Sequence, residues 1–386
     1  MPHFLIFCLA VVIFSFWIFT ALDFIFGVLF RIPVLKPGRE SSGPPSSLPK
    51  VSIIFGARDE EAHLRESVAS MLAQNYPDFE VIAVDDRSTD DTLKILRSLP
   101  QAENLKIIPV RELPAGWLGK THALYQGTRV SSGEWLLFTD ADVWFHPATL
   151  RCAVQAARLR GWDHLTLIPK MFLKGWIERI FAHYFIIAFN RAFRPWAASN
   201  PRSRAYAGIG AFNLITRAAY EKIGTHKKIA LQVVDDMELG RAVKTSRLRQ
   251  GVAAGAALIS VPWVEGFRGV MRSLEKNGFA GIGYRAAALL ALTAAALVFD
   301  VLPFVLIFLA KGPVFPLFLG SLILIFLVHA VGLRDDRTFL ATFPAYPVGC
   351  LLLVIVFWRS ALMVWREGGV RWRDTFYPID QLRGKS

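Results

Sequence analysis

Four apolar runs of membrane-spanning length frame this chain, one near its start and three near its end, and everything of ordinary polarity lies between them. From Phe4 to Leu22 no residue is charged, and after Asp23 the apolar run resumes through Phe30. That is enough helix to cross about 30 Å of hydrocarbon. A cleaved signal peptide has a basic start, a shorter apolar core and a small-residue cleavage site, whereas Met1-Pro2-His3 precede this run and no such site follows it. Residues 4–30 are therefore expected to be a transmembrane signal anchor. Arg31, Lys36, Arg39 and Lys50 follow it with no Lys or Arg before it, so the positive-inside rule puts what comes next in the cytoplasm. The other runs, residues 286–310, 313–333 and about 340–365, are separated by Lys311 and by Arg334-Asp335-Asp336-Arg337. Three more spans leave the tail outside, yet Arg366, Arg371, Arg373, Arg383 and Lys385 argue for a tail inside, so one segment is expected to be re-entrant or interfacial. Asp300 has two readings, a functional intramembrane acid or a residue at the interface beside Pro303.

Composition narrows the class. The 386 residues leave room for two domains, or one domain plus membrane helices. With 53% hydrophobic residues the chain is too apolar for disorder, and three cysteines exclude a disulfide scaffold. The net charge of +13 invites a nucleic-acid reading. The basic residues cluster near the apolar runs instead, with no nucleic-acid motif, which fits attraction to an anionic lipid surface.

Residues 36–49, rich in Pro, Gly and Ser, mark a linker. From Lys50 onward, strand and helix patterns alternate. Strands are expected at 51–55, 79–84, 105–110 and 135–139, and helices at 59–75, 90–98 and 121–130. The apolar strand runs predict an α/β fold, a doubly wound and mainly parallel sheet that takes its ligands at the carboxyl ends of the strands.

Acids stand at those ends. Asp85 and Asp86 follow the second strand too early to cap the next helix, the work expected of Ser88 or Asp90. Asp140-Ala141-Asp142 follows the strand at 135–139, and in an extended chain both carboxylates face one side. Such a pair suits Mg²⁺ or Mn²⁺ gripping a diphosphate. Asp235-Asp236 is expected to open a helix, with one carboxylate capping it and the other free as a general base.

The order of these pieces, Phe55-Gly56-Ala57-Arg58-Asp59-Glu60-Glu61, then Val84-Asp85-Asp86, then Asp140-Ala141-Asp142, then Val234-Asp235-Asp236, resembles the inverting family 2 glycosyltransferases with a GT-A fold. Pro114-Ala115-Gly116-Trp117-Leu118-Gly119-Lys120-Thr121-His122-Ala123 and Gly208-Ile209-Gly210-Ala211-Phe212-Asn213 are similar to the membrane-bound subgroup that glycosylates lipids, which includes hopanoid-associated, carotenoid and ceramide glucosyltransferase-like enzymes. The resemblance implies a nucleotide-sugar site at Ala57, Arg58, Glu60, Asp85, Asp86, Lys120 and Asp140, a metal on Asp140 and Asp142, and Asp236 as the catalytic base. Asp235, Gly210, Arg268, Arg272 and Lys276 are candidates for the acceptor or the diphosphate. The partners implied are a UDP- or GDP-hexose and a membrane lipid hydroxyl, with the catalytic domain of a multi-pass membrane protein facing the cytoplasm.

The expected domains are an anchor at 1–35, a linker at 36–49, a GT-A domain at 50–265, an interfacial helix at 266–285, about three spans at 286–365 and a basic tail at 366–386. Arg268, Arg272 and Lys276 recur every four residues along the interfacial segment, as a basic helical face touching lipid phosphate or diphosphate, or as a solvated face. The Gln-x-x-Arg-Trp motif of processive synthases is missing, which disfavours a polysaccharide synthase. A polyprenyl-phosphate sugar transferase and a non-catalytic membrane scaffold are the remaining alternatives. The aromatic stretch 176–193, with Arg191 and Arg194, reads either as a helix lying on the bilayer or as core.

Overall fold

The computed structural model describes residues 2–38, 48–99, 103–262, 266–275, 277–372 and 375–382. They form two compact units. One comprises Ile32–Phe172 and Pro195–Trp263, the other Met1–Arg31, Leu173–Arg194 and Val264–Ser386. The segment holding helix Trp176–Phe193, expected inside the soluble domain, thus groups with the apolar helices. Residues 33–35, expected at the end of the anchor, join the α/β unit: Leu35 N–H donates to the Ala254 carbonyl and Ala254 N–H to the Pro33 carbonyl, both at 2.9 Å.

The first unit is built on ten strands, β1 (Val51–Ala57), β2 (Phe79–Asp86), β3 (Leu105–Val110), β4 (Trp135–Phe138), β5 (Trp144–Phe145), β6 (His164–Ile168), β7 (Lys170–Phe172), β8 (Asn213–Thr216), β9 (Gln250–Ala254) and β10 (Ile259–Pro262). Seven of them make one sheet in the order β3-β2-β1-β4-β8-β6-β9, and β5-β10-β7 make a small second one. Pairings β3-β2, β2-β1, β1-β4 and β6-β9 are parallel, while β8 runs antiparallel to both its neighbours. All eight residues of β2 are buried, as a strand covered on both faces requires. Alternate residues feed opposite faces. Ile53, Phe55, Val81 and Leu137 pack with helices Leu64–Leu72 and Thr149–Arg160, whereas Ile54, Ile82, Leu136 and Phe138 pack with helices Gly119–Val130 and Asp235–Thr245. The chain turns from β1 to one side through β2 and β3, then returns to the other side with β4. The crevice beyond the carboxyl ends of β1 and β4 is therefore the switch point where open α/β sheets bind ligands.

Boundaries depart from expectation where side chains have other work. The helix expected over 59–75 spans only Leu64–Leu72, because the residues before it bond to the loop after β2. Asp85 and Asp86 are the last two residues of β2 rather than lying after it. β4 stops at Phe138, so Asp140 and Asp142 stand on a turn and not on an extended segment. The interfacial stretch is two short helices, Gly266–Ser273 and Gly278–Gly281. Arg268 and Arg272 are exposed on the first, and Lys276 lies outside the described residues, as do Arg39 in the linker and Arg373, Arg383 and Lys385 in the tail.

Among the described residues of the second unit, four helices are long and apolar enough to cross a membrane, Phe4–Arg31, Ala286–Leu306, Val314–Gly332 and Phe339–Glu367. Asp300 sits in the second of these on a π-type turn, Leu297–Val301. It is 2% exposed, so it is enclosed by protein. Its carboxylate accepts from Arg191 Nη1 at 2.5 Å, Tyr184 Oη at 3.1 Å and Tyr346 Oη at 3.0 Å. The Arg191 guanidinium lies 4.7 Å from the Trp17 ring, and Arg194 pairs with Asp23 at 2.7 Å. These two arginines thus hold helices together instead of lying free for a lipid.

Candidate active site

Two loops build the floor at the ends of β1 and β2. Asp59, at φ +54°, and Arg87, at φ +60°, take left-handed backbone that side chains other than glycine seldom adopt. Reciprocal bonds hold the loops in place. Thr89 N–H donates to Asp59 Oδ1 at 2.7 Å, Asp59 N–H to Ser88 Oγ at 3.2 Å, and Glu60 N–H to Thr92 Oγ1 at 2.8 Å. Asp90, expected as a cap, accepts from Thr92 N–H at 2.9 Å and also from Glu61 N–H at 3.2 Å. Ser88 stitches loops and does not cap.

Into this floor β2 delivers Asp85 and Asp86, each 4% exposed. Asp86 takes a two-pronged bond from Arg87, Nε to Oδ1 at 2.8 Å and Nη2 to Oδ2 at 3.1 Å. Gly119 opens the next helix directly against Asp86, where a Cβ would collide with Oδ2. Asp85 Oδ1 is buried with no hydrogen-bond partner among the described residues. Loss of hydration raises the Asp85 pKa, against the pull of its bonds from Ser88. An orphaned carboxylate oxygen at a strand end is a ready acceptor for N–H or O–H groups of a ligand. His122, on which Asp86 acts electrostatically, bonds Gln126 at 2.9 Å and packs edge-on against Trp117.

The second half of the site gathers around Lys120, whose Nζ is 2.7 Å from Asp140 Oδ1 and 3.4 Å from Asp235 Oδ1. Loss of hydration would lower the Lys120 pKa, but Asp140, Asp235 and Asp236 together hold it well above its ordinary value. The turn carrying Asp140 and Asp142 is fixed by Thr139 Oγ1, which donates to the Ala211 carbonyl at 2.8 Å, and by Ser67, which donates to the Ala141 carbonyl. Asp142 is pushed up to about 7, first by lost hydration and then by the charges of Asp140 and Glu60. Carboxylates crowded until they repel are suited to a hard divalent cation. No group of three or more His, Cys, Asp and Glu able to hold a metal is found among the described residues, so Asp140 and Asp142 would share such a cation with oxygens of a ligand and water.

Asp236 opens helix Asp235–Thr245, but neither acid caps it in the expected way. Asp235 faces Lys120, and Asp236 is held by two backbone N–H groups, Gly210 on Oδ2 and Met237 on Oδ1, each at 2.8 Å. Lost hydration and then Asp235 raise its pKa to about 6. Gly208 explains part of the Gly208-Ile209-Gly210 run: a Cβ there would collide with the Asp236 carbonyl, so this loop lies directly on helix Asp235–Thr245. A buried chain supports it from below. Gln250 bonds His164 at 3.0 Å, accepts from Ala207 N–H at 2.9 Å and donates to the Gly240 carbonyl at 3.1 Å. His164 bonds Asn213 at 3.1 Å.

Ala57 pairs in register with Asp85 next to Asp86, Arg58 pairs with Asp59, and Glu60 lies near Asp142, while Lys120, Asp140, Asp142, Asp235, Asp236 and Gly210 gather in a group that Gly119 joins to Asp86. Arg268 and Arg272 belong to the other unit. Arg87, Ser88, Gly119 and Trp117 were not singled out as site residues. Trp117 and Gly119 lie in the Trp117-Leu118-Gly119-Lys120 run of the resemblance, and Arg87 and Ser88 directly follow its Asp85-Asp86 pair.

Comparison with known proteins agrees with this geometry. Residues 52–164 match the family described as Glycosyl transferase family 2. The 4,4'-diaponeurosporenoate glycosyltransferase of Staphylococcus aureus is 26% identical over 240 residues, which is 60% of this chain and 62% of that relative's length. Among solved structures, the mannosyltransferase PcManGT from Pyrobaculum calidifontis, in complex with GDP-Man and Mn²⁺, aligns over 92% of this chain and 99% of its own with a TM-score of 0.53 at 15% identity, a likeness of fold. Strand order, acids at the switch point and these matches lead to one conclusion: residues 52–164 carry the match to a family 2 glycosyltransferase domain, set in a fold of the GT-A type.

Proposed function

We propose that this enzyme moves a hexose, with inversion, from a UDP- or GDP-hexose to the hydroxyl of a membrane lipid, with Asp236 as general base. The observation that carries the proposal is the state of Asp236. Two backbone N–H groups aim its carboxylate, and its pKa of about 6 makes it a better proton acceptor than an ordinary aspartate while leaving it mostly ionised at neutral pH. Each oxygen accepts one backbone bond and keeps a lone pair for a substrate proton.

The acceptor oxygen attacks the anomeric carbon from the face opposite the diphosphate. The new C–O bond forms as the bond to the diphosphate breaks, the nucleoside diphosphate leaves with that electron pair, and the acceptor's proton passes to Asp236. A single displacement of this kind inverts the anomeric centre. Asp85, with its unpartnered oxygen, and Asp86, clamped by Arg87, would receive the nucleoside in this reading. Mg²⁺ or Mn²⁺ on Asp140 and Asp142 would neutralise charge on the departing diphosphate. The lipid acceptor rests on the four apolar helices and on the Staphylococcus aureus relative, whose name gives its own substrate as 4,4'-diaponeurosporenoate. Orientation with the catalytic unit in the cytoplasm, where nucleotide sugars are made, belongs to the same proposal.

Membranes holding the wild type or Asp236→Asn, given labelled UDP- and GDP-hexoses with Mn²⁺ and analysed for glycolipid, test the assignment. The variant is expected to lose at least about 100-fold in rate, the usual worth of a positioned base. Undiminished transfer by Asp236→Asn sinks it.

A further inference from the structure

We propose that Lys120 is a built-in counter-ion that occupies Asp140 while no donor is bound, so that a divalent cation enters the site effectively only together with a nucleoside diphosphate. The inference rests on the metal reading of Asp140 and Asp142 given above and adds how that site is filled.

The geometry is specific. The Lys120 ammonium sits 2.7 Å from Asp140 Oδ1 and 3.4 Å from Asp235 Oδ1, and neither acid has another ion pair among the described residues. The backbone that carries Lys120 is pinned. Leu118 N–H donates to the Ala230 carbonyl at 2.8 Å, and Thr121 Oγ1 reaches that same carbonyl at 2.6 Å. Ala230 lies on the segment leading into Asp235, so lysine and both acids are tied into one assembly. Only the four-carbon side chain is free to move.

A cation ligated by Asp140 would lie within a few ångströms of this ammonium, in a pocket where Lys120 is 27% exposed and water screens little. Metal and ammonium therefore compete for one carboxylate. A diphosphate resolves the competition, because its oxygens offer the ammonium another anion and give the metal the ligands that two aspartates lack. Asp235 supplies the alternative seat for the lysine throughout. Cation and nucleotide then bind with positive coupling, each raising the affinity for the other.

The test is Mn²⁺ binding by the full-length protein in detergent, read by electron paramagnetic resonance of free Mn²⁺, with and without UDP or GDP. Without nucleotide, Lys120→Met is expected to bind Mn²⁺ about ten-fold more tightly than the wild type, a typical coupling between neighbouring sites. Asp235→Asn, which leaves the ammonium wholly to Asp140, is expected to bind it more weakly. Nucleotide should tighten Mn²⁺ binding by a larger factor in the wild type than in Lys120→Met. Equal or weaker Mn²⁺ binding by Lys120→Met overturns the proposal, as does tighter binding by Asp235→Asn if the lysine variant does not fold. Mn²⁺ that binds none of the proteins, even with nucleotide, overturns the metal reading along with it. Failure of the base assignment shows separately, in the transfer rate of Asp236→Asn.

Discussion

Asp236 shows how a residue is tuned toward the role proposed for it by surroundings its own motif does not contain. An isolated aspartate titrates near 3.8, and here lost hydration and the Asp235 charge raise the pKa to about 6, against the pull of Lys120 and of the Met237 N–H. The sign of the pH effect follows. The group must be ionised to take a proton, so activity is present above this pKa and disappears as pH falls through about 6. With Mn²⁺ saturating, kcat/KM is expected to show a single-proton acid limb there; a profile that stays flat down to the ordinary aspartate range contradicts the assignment. The Asp-Asp pair was legible in the sequence, as was its place at the head of a helix. The partners of each acid were not, because Gly210 and Lys120 lie 26 and 115 positions away from Asp236 and Asp235.

At the scale of elements, the glycine-rich loop and the base helix form one packed joint. Gly208 meets the Asp236 carbonyl and Gly240 meets the Ala207 carbonyl, so each backbone depends on the other's missing side chain. Gly208→Ala is expected to cost about 1–3 kcal/mol, the usual range for overpacking, and to lower activity by shifting Asp236. Gly281→Ala, where a Cβ meets nothing within 4 Å, is the control expected to leave the melting temperature unchanged. Equal melting temperatures for Gly208→Ala and the wild type would contradict the joint. The sequence offered Gly210 of this run as a candidate for the acceptor or the diphosphate, and the structure brings Gly208 against helix Asp235–Thr245. β1, β2 and β4 were readable because both of their faces are buried and most of their residues are apolar, whereas β3 is an edge strand that shows as a short apolar run around Lys106. β8, running antiparallel beside β4, was not, since four residues carry no mark of direction.

For the molecule as a whole, each unit has its own source of order. In the apolar unit, Asp300, Arg191, Tyr184 and Tyr346 join helices through a buried polar knot whose every bond replaces lost water. Arg191→Met is expected to cost about 3–5 kcal/mol, because it strands a buried charge, and the double variant Arg191→Met with Asp300→Leu should regain most of that loss in thermal unfolding in detergent. An equal loss in single and double variants would rule out the charge as the cause. Orientation is tested by labelling Lys94→Cys, a position 80% exposed in the α/β unit, in a Cys8→Ser background. Reaction with a membrane-impermeant maleimide only after permeabilisation is expected, and labelling of intact cells contradicts a cytoplasmic catalytic unit.

By itself the sequence determined what local pattern can carry. Apolar length marks the spans, unbroken apolar runs mark the central parallel strands, and acids just past those runs mark a site at the switch point. All of these are properties of neighbouring residues. Tertiary structure alone decided that Lys120 bridges Asp140 to Asp235, that Gly210 steadies the Asp236 carboxylate, and that helix Trp176–Phe193 groups with the apolar unit through Arg191 and Asp300. These pairings cross from about 20 to more than 100 residues of chain, and their strength comes from water excluded by the finished fold. No local pattern records which distant partner replaces that water.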